Sequence, residues 1–285
     1  MTKILFENEL GSFSLYGGSG DINILEIEGL GFGERTFTNV TFNNMPGHKT
    51  TNITENARTI TISCDVKHDE REKIEHIIRV LSKEVNIYVE SNSKKRKIIG
   101  NCSSFNDGKK QGKLHRTLTM QFVCDNPYFT DFQTTKITSL GTTDRLTDGF
   151  VLPMVFTDFT NGGKIQNKGD INVFPVIRVI GYDENNISGI LIENKTTKKS
   201  ILLNTTVSEG EVITIDILKR KISSTIKEEL EMLSALDIDS YLSDLYFEKG
   251  QNDILITPYG DVQDKIGVTI EFDNQYLEAV IWFLI

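Results

Sequence analysis

Alternating apolar and polar positions dominate the first half of the chain. Ile22–Ile27 (INILEI) and Thr59–Cys64 (TITISC) repeat with period two and are rich in β-branched residues. His115–Cys124 (HRTLTMQFVC) puts Leu118, Met120, Phe122 and Cys124 on one face, and Val85–Ser91 (VNIYVES) has the same character. Each predicts a strand. The breaks between them, GGSGD at Gly17–Asp21 and NNMPGHK at Asn43–Lys49, are the Gly- and Asn-rich punctuation of turns. One segment changes period. In Asp69–Lys83 (DEREKIEHIIRVLSK), Ile74, Ile77, Ile78 and Leu81 recur at i, i+3, i+4, i+7, which predicts an amphipathic helix. Asp69 is placed to cap it with Glu72 completing a capping box, while Arg79 and Lys83 suit the negative end of its dipole. SKKRK at Ser93–Lys97 reads as a solvated hairpin tip.

From Asp125 to Pro153 the pattern fades into a polar, Thr-rich stretch. It divides the chain into a module at 1–135, a linker at 136–152 and a second module at 153–285. Beyond it, short strands are predicted at Val173–Ile180, Gly189–Asn194, Ser200–Asn204, Glu211–Leu218, Asp253–Thr257 and Val268–Phe272. Their regular spacing reads as a β-sandwich. Pro175 falls inside the first of them, and proline belongs at strand edges, strand starts or bulges. Ser224–Phe247 is helical in period, with Ile226, Leu230, Leu233, Leu236, Leu242, Leu245 and Tyr246. It predicts one or two short helices or an elaborated loop.

The composition agrees with two folded modules. Of 285 residues, 25% are charged and 38% hydrophobic, which excludes a disordered chain. No stretch approaches the ~20 apolar residues of a membrane helix. The seven-residue run Ala279–Ile285 reads as a buried last strand containing Trp282. The N-terminal MTKILFENELGSF lacks the apolar core of a secretion signal, so a cytoplasmic site of synthesis is expected. The net charge of −9 is uneven: residues 1–140 sum to +1 and residues 141–285 to −10. An acidic half argues against nucleic acid, whose phosphates need clustered Lys and Arg.

Candidate chemistry is sparse. Cys64, Cys102 and Cys124 are widely spaced and read as free thiols without zinc spacing. His48, His68, His76 and His115 form no HExxH pair. GLGFGE at Gly29–Glu34 has its third glycine one place too early for a dinucleotide loop and reads as a glycine-rich strand connection. Asp237 and Asp239 lack the Gly and Glu of a calcium loop. No catalytic, cofactor-binding or metal-binding residue is therefore assigned, no cofactor is expected, and the protein is not expected to be an enzyme.

The order of features resembles that of phage distal tail proteins. In the second half the resemblance runs through GGKIQNKGDINVFPVIRVIG at Gly162–Gly181, with Asn167, Gly169, Asp170, Pro175, Ile177 and Gly181 in the family's turn–proline–strand pattern. It continues through GILIENKTTKKSILLN, Gly210-Glu211 to Ile215-Asp216, and Lys249-Gly250-Gln251-Asn252, where lysine replaces the family's proline. In the first half, LFENELGSFSLYG, ILEIEGLGFGERTF, MPGHKTT, ARTITISCDV and CDNPYF follow the same order, with His48 where the family often has arginine. The resemblance implies a mainly β protein with an N-terminal β-sandwich belt domain carrying one helix and a C-terminal galectin-like β-sandwich. It implies a homo-hexameric ring at the virion tail tip, assembled in the bacterial cytoplasm. Its partners would be the tail tube protein, a tail-associated tip protein and a receptor-binding protein, with neither nucleic-acid recognition nor membrane insertion. The alternative is a carbohydrate-binding module for host glycans. Against it, the one tryptophan, Trp282, lies in a run expected to be core rather than an exposed sugar platform.

Overall fold

Period-two alternation carries through into the strands of the molecule. A computed structural model describes residues 2–18, 20–43, 46–67, 70–91, 94–111, 115–138, 161–181, 187–259 and 266–279. The fold is mainly β and divides into two compact units, Met1–Phe132 with Tyr276–Ile285, and Gln133–Gln275. The chain thus passes from the first unit into the second and back again. Where the sequence pattern assigns all of 153–285 to the second module, Tyr276 and Ala279 are buried in the core of the first. The other residues of the expected last strand, Trp282 among them, lie outside the described residues.

The first unit contains β1 (Lys3–Asn8), β2 (Gly11–Tyr16), β3 (Ile22–Glu28), β4 (Arg35–Val40), β5 (Lys49–Glu55), β6 (Arg58–Lys67), α1 (Glu70–Leu81), β7 (Val85–Ser91), β8 (Lys94–Gln111), β9 (His115–Cys124) and β10 (Phe129–Asp131). Seven of these close on themselves: β8 pairs with β7, then β1, β2, β3, β6 and β9 follow, and β9 pairs again with β8. The expectation of a sandwich is corrected here, because β8 is long enough to serve two partners. Its Lys94–Gly100 portion pairs with β7 and its Asn101–Gln111 portion with β9. Closure of the ring removes the free edges that an open sheet would expose. Inside, Phe6 stacks on Phe13 at 4.7 Å and on Phe122 at 5.1 Å between ring centroids.

Helix α1 packs on this core through Ile74, Ile77, Val80 and Leu81. Ile78 is half-exposed instead, so the buried face is rotated toward Val80 relative to the face predicted from spacing. Two polar contacts fix that rotation. The Asn8 amide donates to the Val80 carbonyl at 2.7 Å, and His76 Nε2 lies 3.0 Å from the Ser12 carbonyl. The proposed cap Asp69 lies outside the described residues.

The second unit contains β11 (Thr135–Thr138), β12 (Asn161–Asn167), β13 (Val176–Gly181), β14 (Gly189–Asn194), β15 (Lys199–Leu203), β16 (Val212–Asp216), β17 (Lys221–Ser224), α2 (Glu229–Ser234), a single 3-10 turn at Leu242–Asp244, β18 (Gly250–Tyr259) and β19 (Ile266–Phe272); β20 (Gln275–Tyr276), where the chain returns, belongs to the nine-stranded sheet beside β10. A five-stranded sheet, β11-β19-β13-β16-β17, and a four-stranded sheet, β12-β18-β14-β15, contribute to one hydrophobic core. Residues 136–138 are strand, paired with β19, rather than linker. The remaining linker residues, 139–152, lie outside the described residues. Pro175 sits one residue before β13, a central strand flanked by β16 and β19. It marks a strand start, not an edge or a bulge, and its carbonyl still accepts from Ile217 at 3.3 Å.

Buried asparagines hold the turns of this unit. Asn167 donates to the carbonyls of Ile171 and Phe247 and accepts from the Gly169 amide at 2.9 Å. Asn252 accepts from the Glu248 amide and donates back to the Glu248 carbonyl at 2.8 Å. Asn194 donates to Asn252 and to the Tyr246 carbonyl, and accepts from the Thr196 amide. Each side chain stands in for a ladder partner that the turning backbone has lost. Gly169 must be glycine, since a Cβ there would lie 2.5 Å from the Gln275 carbonyl oxygen.

A single guanidinium does comparable work in the first unit. Arg58 is 3% exposed and donates to the carbonyls of Pro127 (2.6 Å), Gly29 (2.7 Å), Gly31 and Leu277 (2.8 Å), with Phe129 stacked 4.7 Å from it. Arg58→Met is expected to lower the unfolding free energy by about 3–5 kcal/mol, since four carbonyls lose a charged donor. Arg58→Lys should recover little, because an ammonium cannot fork to four acceptors. Urea unfolding followed by circular dichroism checks both; a lysine variant as stable as the parent would contradict this account.

Candidate functional site

The residues weighed for chemistry are dispersed. His76 serves the α1 contact, His48 is exposed, and His68 and the His115 side chain lie outside the described residues. Cys64 and Cys124 are buried, and burial pushes their thiols up to about 12 and about 11. Cys102 is only partly buried. Asp237 accepts from the Asn204 amide and from the Asp239 backbone N–H, which is turn chemistry. Among the described residues, no cluster of His, Cys, Asp and Glu could hold a metal.

The glycine loop also has a structural occupation. Gly29 has φ +85°, and a Cβ on it would lie 2.0 Å from the Thr59 carbonyl oxygen. The carbonyls of Gly29 and Gly31 point at Arg58. Of the run read as a hairpin tip, Lys94–Lys97 open β8, with Lys94 opposite Ser91, while Ser93 lies outside the described residues. Lys95 pairs with Glu90 at 3.3 Å, and Arg96 pairs with Asp131 at 2.7 Å while lying 3.5 Å from the centroid of the Tyr276 ring.

Among the described residues, the surface offers two sets of exposed apolar side chains. The first is the β4–β5 hairpin, a two-stranded sheet of its own in which nearly every residue is exposed. Phe37 and Ile53 are register partners and so share one face, at 54% and 51% exposure, with Phe42 exposed nearby. The opposite face is Thr36, Thr38, Asn52 and Thr54. At the base, Arg35 holds Glu55 at 2.6 Å and stacks 4.3 Å from the Phe32 ring centroid. An isolated two-stranded hairpin is marginal in water, so a face of this kind needs a cover.

The second is residues 224–247, which run along both sheets of the second unit. Ala235 and Asp237 exchange backbone hydrogen bonds with Asn204 and Leu202 beside β15, and Ser240 Oγ accepts from the Leu202 amide at 2.9 Å. The segment therefore covers the β15 edge, which would otherwise present unpaired amides. At its start, the fully buried Glu211 accepts from Ser224 Oγ (2.6 Å), the Ser208 amide (2.8 Å) and Lys227 (3.1 Å). Lys227 also donates to the Thr206 carbonyl. Burial by itself raises the Glu211 carboxyl, but the hydrogen bonds from Ser224, Ser208 and Lys227, with the lysine charge, outweigh it and hold the carboxyl below its usual value. Helical period in the sequence found this segment, but the period does not disclose that it is apolar on both sides.

Residues 168–276 match the family model of the siphovirus-type tail component, C-terminal domain. Among solved structures, the chain is similar to the Dit protein (gp 19.1) of phage SPP1, described as a paradigm of hub adsorption apparatus in phages infecting Gram-positive hosts. The TM-score is 0.66 at 12% identity, over 96% of this chain and 99% of that one. It is also similar to a chain of the phage P2 baseplate in its activated conformation with calcium, with TM-score 0.51 and 11% identity over 95% of this chain and 98% of that one. The strontium form of that baseplate gives the same values. At these identities the likeness carries the fold. No curated protein matches the sequence significantly.

A carboxyl held low when folded adds stability above its unfolded pKa of about 4.5, and that stability is lost as pH falls through the lower folded value. Glu211→Gln is expected to be less stable than the parent at pH 7 and to show a shallower loss of stability below pH ~4.5. Denaturant midpoints across that range check both signs.

Proposed function

We propose, from the match of residues 168–276 to the siphovirus-type tail component model and from the chain's resemblance to phage distal tail proteins, that this protein is a structural component of a phage tail tip. In this reading six copies form a ring that continues the tail tube and joins it to the tail-tip assembly. The first unit is the ring-forming belt, and the second is a galectin-like module facing outward toward receptor-binding proteins. Both the tail tube protein and a tip protein would meet the ring. The observation that carries the reading is the family match in the second unit combined with similarity to the SPP1 protein along nearly the full length of both chains.

The hairpin supports the ring. A subunit whose barrel ladders are closed has few edges to share, so contact with neighbours falls to elements outside the closed set. The β4–β5 hairpin is such an element, with Phe37 and Ile53 in need of cover. Repeated head-to-tail contacts of one kind close into a ring when the rotation allows.

Light scattering on the purified protein is expected to give a mass six times that of one chain, with annular particles in negative stain. Phe37→Asp combined with Ile53→Asp is expected to give folded monomers, since both side chains are exposed in the single chain and the change removes only what a neighbour would bury. A parent protein that stays monomeric with tail tube and tip proteins present would overturn the ring, and specific glycan binding by that monomer would favour the carbohydrate-binding alternative.

A further inference from the structure

We infer that the outer face of residues 224–247 is a docking surface for a basic, aliphatic-rich segment of another protein. The inference rests on the assembly reading, because it assumes that the protein works through partners, but it does not require a ring.

Sidedness gives the first argument. The inner side of this segment is buried through Met232, Ala235, Leu242 and Leu245, which is all that a cover over a sheet edge requires. Its outer side should then be polar. Instead Leu230 is 78% exposed and Ile238 89%, with Ile226, Leu233 and Tyr241 exposed as well. Leu230 and Leu233 stand at i, i+3 and so share one face of α2. Several large apolar side chains left exposed along one short segment mark an interaction site.

Rigidity gives the second. The backbone bonds to Leu202 and Asn204, the Ser240 hydroxyl and the Glu211–Lys227 pair anchor the segment at both ends and along its length. A partner therefore meets a preformed surface and bears little cost of ordering it.

Charge identifies the partner. Residues 224–247 carry six acidic side chains against the one lysine, Lys227, and that lysine is engaged by Glu211. Glu228, Glu231 and Asp239 are exposed among the apolar residues. The same face of a second copy would oppose like charges, which disfavours self-pairing here. Lysines or arginines flanking aliphatic side chains complement both features.

The probe is a synthetic amphipathic peptide of leucine and lysine at helical spacing, titrated into the full-length protein. Its counterpart has glutamate in place of every lysine. The basic peptide is expected to bind, more weakly as salt rises, and the acidic one to bind at least about tenfold more weakly. Leu230→Glu with Ile238→Glu is expected to weaken the basic peptide by about tenfold or more without changing the protein's native mass or its unfolding midpoint. The Phe37→Asp, Ile53→Asp pair should leave peptide binding intact even where it abolishes rings, which separates failure of this surface from failure of the ring. Equal binding of the two peptides, or unchanged binding to the Leu230, Ile238 variant, would overturn the inference. A fall in native mass for that variant would also overturn it, by assigning the face to contacts between copies.

Discussion

The first unit depends on one buried cation, Arg58, that donates to four backbone carbonyls. Three stretches of backbone converge where no strand ladder can serve them: the glycine loop after β3, the turn after β9, and the returning chain at Leu277. Their carbonyls are satisfied together by Arg58. A buried carbonyl without a donor costs about as much as a lost hydrogen bond, so three loops left to themselves would each have to remain in water. Arginine suits the role because its donors are arranged in a rigid planar fork and it stays charged when desolvated. Burial lowers its pKa, but from a starting value so high that the cation persists. The barrel is thus locked at its end by a side chain as much as by its ladders.

Legibility of the fold tracked how far each strand is buried. β7, β9 and β14 occupy the residues that alternation predicts, because each sets a row of Val, Ile, Leu or Met against a core. β4 and β5 are harder to read: Phe37 and Ile53 face away from the threonines, but neither face meets the core and the alternation spans only a few residues. Much of β8 is hidden for a related reason, since KKRK and NDGKKQ are polar and only its middle turns inward. Closure is not local information at all. Whether β8 finds β9 as well as β7 is decided by its length and by the bulges near Cys102 and Asp107. The rotated face of α1 likewise follows from its contacts with Asn8 and Ser12, which no helical wheel contains.

The motifs that gave the chain its resemblance are turn chemistry in atomic terms. Asn167 and Gly169 close the turn after β12, and Asn252 closes the one before β18. They support architecture, and the exposed apolar faces lie elsewhere, on the hairpin and on residues 224–247. Those faces were only half visible. Their residues are plain in the sequence, but a hydrophobic side chain looks the same on paper whether it points inward or outward. Side chains at helical spacing read as core by default, and Ile226 and Leu230 depart from that default only once the backbone is placed.

The double passage of the chain between its units has a consequence for synthesis. Arg58 and its acceptor at Leu277 are 219 residues apart. At ~5–20 residues per second, the ribosome needs roughly 10 to 45 seconds to cover that interval. Once β9 has been made, the barrel's strands are all present but Tyr276, Leu277 and Ala279 are not. The second unit is emerging and folding meanwhile, as an insert between two parts of the first. The unit that begins first therefore finishes only after the second has been made.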